Sequence, residues 1–476
     1  MEKLRGLLKN KLLSASAAYT FGNILIKGIN FATLPLFSRI MTTEDFGIFN
    51  VFISYEAILF VIIGLAIHGS IQSANLEFKG KINNYTSSVT IIYFVSLITL
   101  FAGALVFKKQ VYSLIQFDFY TTACLLLYSF GSSLMLLYNA RVSLDYDYKS
   151  FLKVSIFSSV GNIVLSIILI FTIFDSNRGY GRITGVTITA VCLSIYILVY
   201  FYKKSRISIS RSYLTFAIKY SLPIVPHGLA QVLLAQFDRI MIRNYLGLSA
   251  AGLYSLAGNI QLILNVITTS IATVWATWFF KNIDKTNKEK IQIRASQICY
   301  AFLALPIIMV SFSPELVFVL GGEAYHQSVY AAIPLIVVGY ILFIYNIIVQ
   351  AEYYMKKTVY IMTGTMIAAI INVITNSIFI KRYGFVAAAY TTLFSYLCYL
   401  ILHSLISRKC ITFHVIPVAD YIRNFGMLVI LSAVSLAFID RIWIRVIAFV
   451  LCMVLYLIVA KKGVFSNESS FFKRRV

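Results

Sequence analysis

Long apolar runs, each about the length of a membrane-spanning helix, follow one another through almost the whole chain. A helix needs about 20 predominantly apolar residues to cross a bilayer. Of the 476 residues, 59% are hydrophobic and only 12% are charged. A soluble domain needs more charge than this on its surface. The pattern therefore predicts an all-α integral membrane protein.

About 14 such runs can be distinguished, separated by short polar segments. They comprise 13–39, 45–72, 86–107, 119–140, 151–174, 183–202, 213–242, 249–278, 295–320, 327–350, 357–380, 384–407, 419–439 and 443–460. The first twelve predict two pseudo-symmetric six-helix lobes, and the last two are expected to be additional C-terminal helices. The predicted boundaries are 1–202 and 213–407 for the lobes, 203–212 for a cytoplasmic linker and 408–476 for the C-terminal part. Because each lobe has an even number of spans, a parallel repeat is expected.

The distribution of basic residues predicts the orientation of the chain. Lysine and arginine total 41 against 18 acidic residues, a net charge of +23. With the N-terminus in the cytoplasm, 28 of the 41 fall on cytoplasmic segments and 11 on the outer side. This asymmetry is the positive-inside pattern, and it argues against a nucleic-acid partner. We therefore expect both termini in the cytoplasm, and a first span that is retained and not cleaved as a signal peptide.

One short motif occurs twice, at an offset of 200 residues. Residues 37–41 read FSRIM and residues 237–241 read FDRIM, and each copy is followed by a glycine–apolar–aromatic step, at 47–49 and at 252–254. The same offset aligns Lys27 with His227. The two halves are therefore expected to be built on one plan, with a substrate site between them near the midplane.

Polar and ionisable residues inside the spans are the candidates for that site, because charge in hydrocarbon is costly unless it faces a cavity or a partner. The candidates for substrate binding are Asn23, Lys27, Asn30, Lys219, His227, Gln231, Gln261 and Asn265. Asn23, Lys27 and Asn30 share one face of span one, and Lys219, His227 and Gln231 share one face of span seven. We expect a water-filled cavity in which the basic groups contact an anion. The alternatives are interhelical hydrogen bonds for the amides and a buried neutral imidazole for His227.

Four charged residues are candidates for gating or ion coupling. They are Arg39, Glu56, Asp238 and Arg239. Those at 39, 238 and 239 lie at the outer ends of their spans and would either close the outer mouth by pairing or anchor the helices at the interface. Glu56 is the only acidic residue placed well inside a span, where it would carry a coupling cation, pair with Lys27 or act as a structural partner.

Three local features of these spans carry further expectations. Pro223 and Pro226 should bend span seven, since proline removes a backbone hydrogen bond, and the bend would be a hinge or a static kink. Thr42 and Asp45 have the spacing of a capping box at the start of span two. His68 is expected at the membrane interface, near the cytoplasmic end of that span.

The sequence contains no P-loop, no paired carboxylates at catalytic spacing, no G-x-S-x-G and no HExxH motif. Its six cysteines form no CxxC pair, so neither a disulfide framework nor a zinc site is expected. We therefore expect no enzymatic activity, no cofactor and no metal. Transport would be driven by an ion gradient, the membrane potential or the gradient of the substrate itself.

Several motifs resemble those of the bacterial polysaccharide flippases of the multidrug/oligosaccharidyl-lipid/polysaccharide exporter (MOP) superfamily, which carry O-antigen and capsule repeat units. Leu34-Pro35, Ser38-Arg39 and 45–49 resemble the opening of the first half. Leu222-Pro223, Asp238-Arg239 and 252–254 resemble the opening of the second.

This resemblance implies a protein of the bacterial inner membrane that moves undecaprenyl-diphosphate-linked oligosaccharide to the outer leaflet. It implies alternating access through a cationic cavity between two lobes, and as partners the polymerase and chain-length proteins of the same pathway. A peptidoglycan-precursor flippase is an alternative. A multidrug exporter of the same superfamily would need several carboxylates in its cavity, whereas only Glu56 qualifies. A lipid-linked glycosyltransferase or ligase would need large outer loops, and those here are short.

Overall fold

The computed structural model describes residues 22, 25–26, 28–29, 31–205, 209–284 and 287–461. The chain forms two compact units, Met1–Ile240 and Met241–Val476. The lobe boundaries expected from the sequence, at 202 and 213, remain a prediction. The helices of each unit are described separately below.

The first unit consists of helices joined by short turns. They are α1 (Leu34–Ile40), α2 (Thr43–Gly64), a 3-10 turn (Ile67–Ser70), α3 (Ile71–Glu77), α4 (Ile82–Val106), α5 (Lys108–Ile115), α6 (Phe119–Leu144), α7 (Tyr148–Thr172), α8 (Arg178–Lys204), α9 (Arg211–Ser221), a 3-10 turn (Leu222–Ile224) and α10 (Val225–Leu246). The chain enters the second unit within α10, after Ile240.

The second unit continues with α11 (Leu248–Asn282), α12 (Lys288–Ser311), α13 (Ser313–Gly321), a 3-10 turn (Glu323–Ser328), α14 (Val329–Ile348), α15 (Gln350–Tyr354), α16 (Thr358–Tyr383), α17 (Phe385–Ile411), α18 (Val418–Ala437) and α19 (Ile442–Val459). The segment Glu323–Tyr354 is the core of this unit, because 89% of its most apolar window is buried. The other helices of the unit can therefore leave much of their surface for lipid.

The expectation of an all-α membrane protein is confirmed. Within the described residues, 12 helices are long and apolar enough to cross a membrane. About half of the predicted first span, 13–39, lies outside the described residues, including nearly all of its N-terminal part. The predicted seventh span is present as α9 and α10, and the expected interruption is confirmed, since a 3-10 turn at Leu222–Ile224 separates the two helices around Pro223.

Span two begins with the predicted capping box but ends earlier than predicted. The capping box is confirmed: the backbone N–H of Asp45 donates to Thr42 Oγ1 at 3.0 Å, and the backbone N–H of Thr42 faces Asp45 Oδ2 at 3.4 Å. The helix then ends at Gly64, eight residues before the expected position 72. It ends there because Leu65 and Ala66 adopt the left-handed conformation, with φ of 44° and 54°. This conformation costs a residue with a Cβ about 1–2 kcal/mol.

Small residues bring the helices of the first unit close together. A Cβ added to Gly185 of α8 would lie 2.6 Å from the backbone nitrogen of Ser166 on α7. Helices in membranes associate through such close approaches, since lipid supplies no hydrophobic force between them. Ser166 is fully buried at this crossing.

Both copies of the repeated motif precede a helix that begins in the same way. Gly47 lies four residues after the start of α2, and Gly252 lies four residues after the start of α11. Both glycines are buried. The copies differ at the arginine, because Arg39 is exposed whereas Arg239 is 9% exposed.

The two C-terminal helices pack against the second unit through buried polar contacts. Arg445 of α19, 3% exposed at its side chain, binds the Glu315 carboxylate through two hydrogen bonds of 2.6 and 2.8 Å. The Asn424 amide of α18 donates to Tyr340 Oη at 2.9 Å. These contacts hold both helices within the second unit, and their separate treatment as 408–476 stays a prediction.

Candidate functional site

A cavity of about 430 Å³ lies within the first unit. Its walls are formed by α2, the turn after it, α4, α6, and the segment from Ile224 through the first three turns of α10. This volume is in the range of about 300–1,000 Å³ that is typical of ligand pockets. The residues that line it are mainly apolar, with a few polar side chains on separate helices.

His68 enters the cavity because α2 ends early. The left-handed residues Leu65 and Ala66 turn the chain into the 3-10 turn Ile67–Ser70, and Ala66, His68 and Gly69 then line the cavity. The sequence placed His68 at the membrane interface, near the cytoplasmic end of span two, and this placement stays a prediction; the structure adds that His68 lines the cavity. A glycine usually marks a left-handed turn, and at 65 and 66 the sequence has leucine and alanine. No local signal therefore pointed to this position.

On the opposite wall, His227 and Gln231 line the cavity together with Gln236. His227 and Gln231 are four residues apart, so they occupy one face of α10. The break at Leu222–Ile224 starts a new helix just before His227, since a proline ring is incompatible with an uninterrupted helix interior. Lys219 precedes the break, is exposed on α9 and is not among the lining residues.

Two polar atoms at this cavity lack a hydrogen-bond partner among the described residues, Tyr93 Oη and His227 Nδ1. Tyr93, on α4, is fully buried apart from its contact with the cavity. Buried polar groups without partners are costly and uncommon, and each calls for an explanation such as a ligand or water. Each of these buried atoms thus has an unused hydrogen-bonding capacity beside the cavity.

The electrostatic character of the cavity is neutral to basic. No Asp or Glu is among the described residues that line it. The polar groups are two imidazoles, the amides of Gln231 and Gln236, and the hydroxyls of Tyr93 and Ser133. Gln236 Oε1 accepts a hydrogen bond from the Arg239 guanidinium, which brings a buried cation next to the lining. Such a site suits an anion or sugar hydroxyls and offers no carboxylate to an organic cation.

Glu56 lies beside the cavity and does not line it. The side chain of Ser132 on α6 hydrogen-bonds its carboxyl group, and Tyr128 is a further neighbour from the same helix. The adjacent residues Ala57 and Ser133 do line the cavity. Glu56 thus packs against α6, and its neighbour in the sequence, Ala57, lines the space that a ligand would occupy.

The remaining candidates lie elsewhere. Asn23, Lys27 and Asn30 lie outside the described residues. Asp238 and Arg239 are buried, with 3% and 9% exposure. Gln261 and Asn265 belong to the second unit, where both are half-buried on α11. The structure thus brings His227 and Gln231 together and adds His68, Tyr93 and Gln236, which the sequence analysis did not propose for substrate binding.

Comparison with known proteins gives one family and several similar folds. The family described as "polysaccharide biosynthesis protein" matches residues 12–283. A protein of the Lsg locus of Haemophilus influenzae is 22% identical over 333 residues, 66% of this chain and 78% of that protein.

Among solved structures, lipid II flippase MurJ in an inward closed conformation matches with a TM-score of 0.73 at 15% identity, over 97% of this chain and 99% of that chain. An inward-facing multidrug resistance MATE transporter of the MOP superfamily matches with a TM-score of 0.58 at 15% identity, over 83% and 94%. A MOP superfamily transporter from Pyrococcus furiosus matches with a TM-score of 0.52 at 16% identity, over 84% and 96%. At these identities the likeness shows the fold alone.

Proposed function

Because the chain belongs to the polysaccharide biosynthesis protein family, we propose that it is a flippase for lipid-linked oligosaccharide. The substrate class is an undecaprenyl-diphosphate-linked repeat unit of the O-antigen or capsule type, moved from the inner to the outer leaflet by alternating access. The observation that carries the proposal is the cavity of the first unit, which combines imidazoles and amides with a lining that has no carboxylate among the described residues.

The chemistry of this cavity fits a diphosphate attached to sugars. An imidazole N–H donates hydrogen bonds to phosphate oxygens, and amides both donate to and accept from sugar hydroxyls. Tyr93 Oη and His227 Nδ1, which have no partner among the described residues, would complete such contacts. The lipid tail would remain in the bilayer, where it needs no pocket.

Further residues belong to the proposal by their positions in the sequence. Substrate contact is proposed for Asn23, Lys27, Asn30, Lys219, His227, Gln231, Gln261 and Asn265, and gating or ion coupling for Arg39, Glu56, Asp238 and Arg239. An inside-negative potential of about 100 mV favours the outward movement of two negative charges by about 4–5 kcal/mol, which would contribute to export.

The proposed setting is the bacterial inner membrane, with both termini in the cytoplasm and the polymerase and chain-length proteins of the same pathway as partners. A peptidoglycan-precursor flippase would handle the same lipid diphosphate and is the second candidate, favoured by the extensive match to the MurJ fold. A multidrug exporter is disfavoured, since an organic cation would meet no carboxylate among the described lining residues.

The test is a substitution series at His227 in a strain whose surface polysaccharide depends on this gene. We expect His227→Glu to abolish polymer, because a carboxylate repels the diphosphate, and His227→Gln to retain part of it, because an amide still donates a hydrogen bond. His326→Glu is the control, since His326 is exposed at 52% of its side chain on the second unit. Normal polymer with His227→Glu, at a protein level equal to wild type, would contradict the proposal.

The substrate itself is tested by complementation. The gene is expressed in strains that lack a defined polysaccharide flippase, a peptidoglycan-precursor flippase or a drug exporter. We expect rescue of the polysaccharide strain. Rescue of the peptidoglycan strain alone identifies the second candidate, and drug resistance alone contradicts both.

A further inference from the structure

A histidine and a glutamate form an isolated, fully buried pair in the second unit. His403 Nδ1 lies 2.8 Å from Glu352 Oε1, and both side chains have 0% exposure. Glu352 is part of the apolar segment Glu323–Tyr354, and His403 is part of α17 (Phe385–Ile411), both long and apolar enough to cross a membrane. An ionisable group in such a position is a candidate functional site by default.

The pair is enclosed on all the sides that the structure describes. The rings of Tyr345 and Tyr399 pack against the imidazole with centroid distances of 5.1 and 4.5 Å. On α16, a Cβ added to Gly364 would lie 2.4 Å from His403 Nε2, so only glycine leaves room for the ring. Water is therefore excluded from the imidazole by two aromatic rings and a helix backbone.

The groups facing the pair from the surrounding helices carry no charge at neutral pH. Those that interact electrostatically with Glu352 are Tyr345 of α14, Tyr353 of α15, and Tyr399 and Cys410 of α17. Trp275 of α11, whose indole donates to Ile347 O at 2.9 Å, adds no charge to the neighbouring part of α14. Gly364 and Thr365 of α16 add no ionisable group. The nearest basic residues along the chain, Lys356 and Lys357, are exposed.

The charge of the pair therefore depends on one proton. With a neutral imidazole and an ionised Glu352, the enclosed pair has a net charge of −1, which a low-dielectric interior strongly disfavours. One added proton makes the pair neutral. Glu352 Oε2 and His403 Nε2 have no hydrogen-bond partner among the described residues, so a lone pair on either atom can accept that proton.

We propose that Glu352 and His403 form an occluded binding site for one proton, whose binding and release are coupled to the conformational cycle. On binding, a carboxylate lone pair of Glu352 takes H⁺ from hydronium, so that the carboxyl O–H bond forms, an O–H bond of hydronium breaks and water is left; on opening, the proton returns to a water molecule, which becomes hydronium. In the orientation predicted from the basic residues, the pair lies near the cytoplasmic ends of its helices, so exchange would be with the cytoplasm. The coupling part rests on the proposed flippase function, whereas proton binding does not.

Proton binding is tested by infrared difference spectroscopy of the purified full-length protein between alkaline and acidic buffer. We expect a carboxylic-acid carbonyl band on acidification that is lost in Glu352→Gln. The chain supplies a matched control, because His326 Nε2 and Asp440 Oδ1 form an exposed pair of the same kind in the same unit, 3.6 Å apart. Asp440→Asn should keep the Glu352 band. A spectrum that Glu352→Gln leaves unchanged overturns the proposal.

A second variant covers the case in which Glu352→Gln does not fold. His403→Gln keeps an amide that can donate to the glutamate but removes the imidazole. We expect the pH at which the Glu352 band appears to shift in His403→Gln and to stay unchanged in His326→Gln. Equal midpoints in the two variants overturn a shared proton site.

Coupling is tested by flipping of a lipid-linked oligosaccharide in proteoliposomes with and without a pH gradient. We expect the gradient to accelerate wild-type flipping, and Glu352→Gln to lose that acceleration while it retains flipping without a gradient. If the wild type flips but ignores the gradient, coupling is wrong and the proposed function stands. If the wild type does not flip, the proposed function and the coupling fail together, while the infrared result still decides proton binding.

Discussion

The two units treat histidine in opposite ways. In the first, His68 and His227 border a cavity whose described lining contains no acid, and His227 Nδ1 has no partner among the described residues. In the second, His403 is fully buried and hydrogen-bonded to Glu352. A histidine beside open space can offer an N–H to an anionic ligand, whereas one held by a carboxylate can exchange only a proton. The neighbours of the ring, not the residue type, separate the two roles.

The largest expected effect comes from breaking the enclosed pair. Glu352→Ala should lower the free energy of unfolding by about 1–3 kcal/mol, because it leaves the buried imidazole without its hydrogen-bond partner. Asp440→Ala at the exposed pair should change it by less than about 1 kcal/mol, since water already solvates both groups. The measurement is the melting temperature of the purified protein in detergent.

A double replacement sharpens this result. Glu352→Met combined with His403→Leu removes both polar groups at similar volume, and such replacements are often neutral. We expect recovery of most of the melting temperature together with loss of the pH response of flipping. Equal melting temperatures for wild type and Glu352→Ala would contradict the view that the pair is enclosed.

A smaller effect is expected at the contact between α19 and Glu315 of α13. Partial burial acts to raise the pKa of Glu315, but hydrogen bonds from Arg445 outweigh it, and the pKa lies below its ordinary value. A carboxyl group with a lowered pKa contributes stability above its unfolded-state pKa, about 4.3, and loses it as the pH falls through the folded-state pKa. Glu315→Gln should therefore cost about 1 kcal/mol at neutral pH, after allowance for solvent exposure.

The difference in melting temperature between wild type and Glu315→Gln should disappear as the buffer is acidified. Melting temperatures of both proteins over a pH series give the measurement. Because the Glu315 side chain is 39% exposed and the Glu352 side chain is 0% exposed, this contact responds directly to the buffer, whereas the enclosed pair requires opening. A difference in melting temperature that is independent of pH would show that Arg445 is held by its hydrogen bond to the Ser311 carbonyl and not by the Glu315 carboxylate.

The sequence predicted the helical class, most of the spans, the interruption at Pro223 and the meeting of His227 and Gln231, because these follow from hydrophobic runs, proline and helical spacing. It did not predict that His68 would join them, since that depends on left-handed residues without a glycine signal. Glu56 is the only acidic residue that the sequence placed well inside a span. Glu352 was missed because the buried segment continues past position 350 as α15, and burial there depends on α17, distant in sequence.

The smallest expected effect concerns the turn that directs His68 into the cavity. Ala66 has φ of 54°, a conformation that costs alanine about 1–2 kcal/mol and costs glycine little. Ala66→Gly should therefore raise the free energy of unfolding, by up to about 1 kcal/mol once the greater freedom of glycine in the unfolded chain is subtracted. Ala57→Gly is the matched control at the same cavity, because Ala57 lies within α2, where the same substitution should lower stability by about 1 kcal/mol. Melting temperatures that move in the same direction for both variants would contradict a strained turn at Ala66, and with it the reason why this histidine faces the cavity.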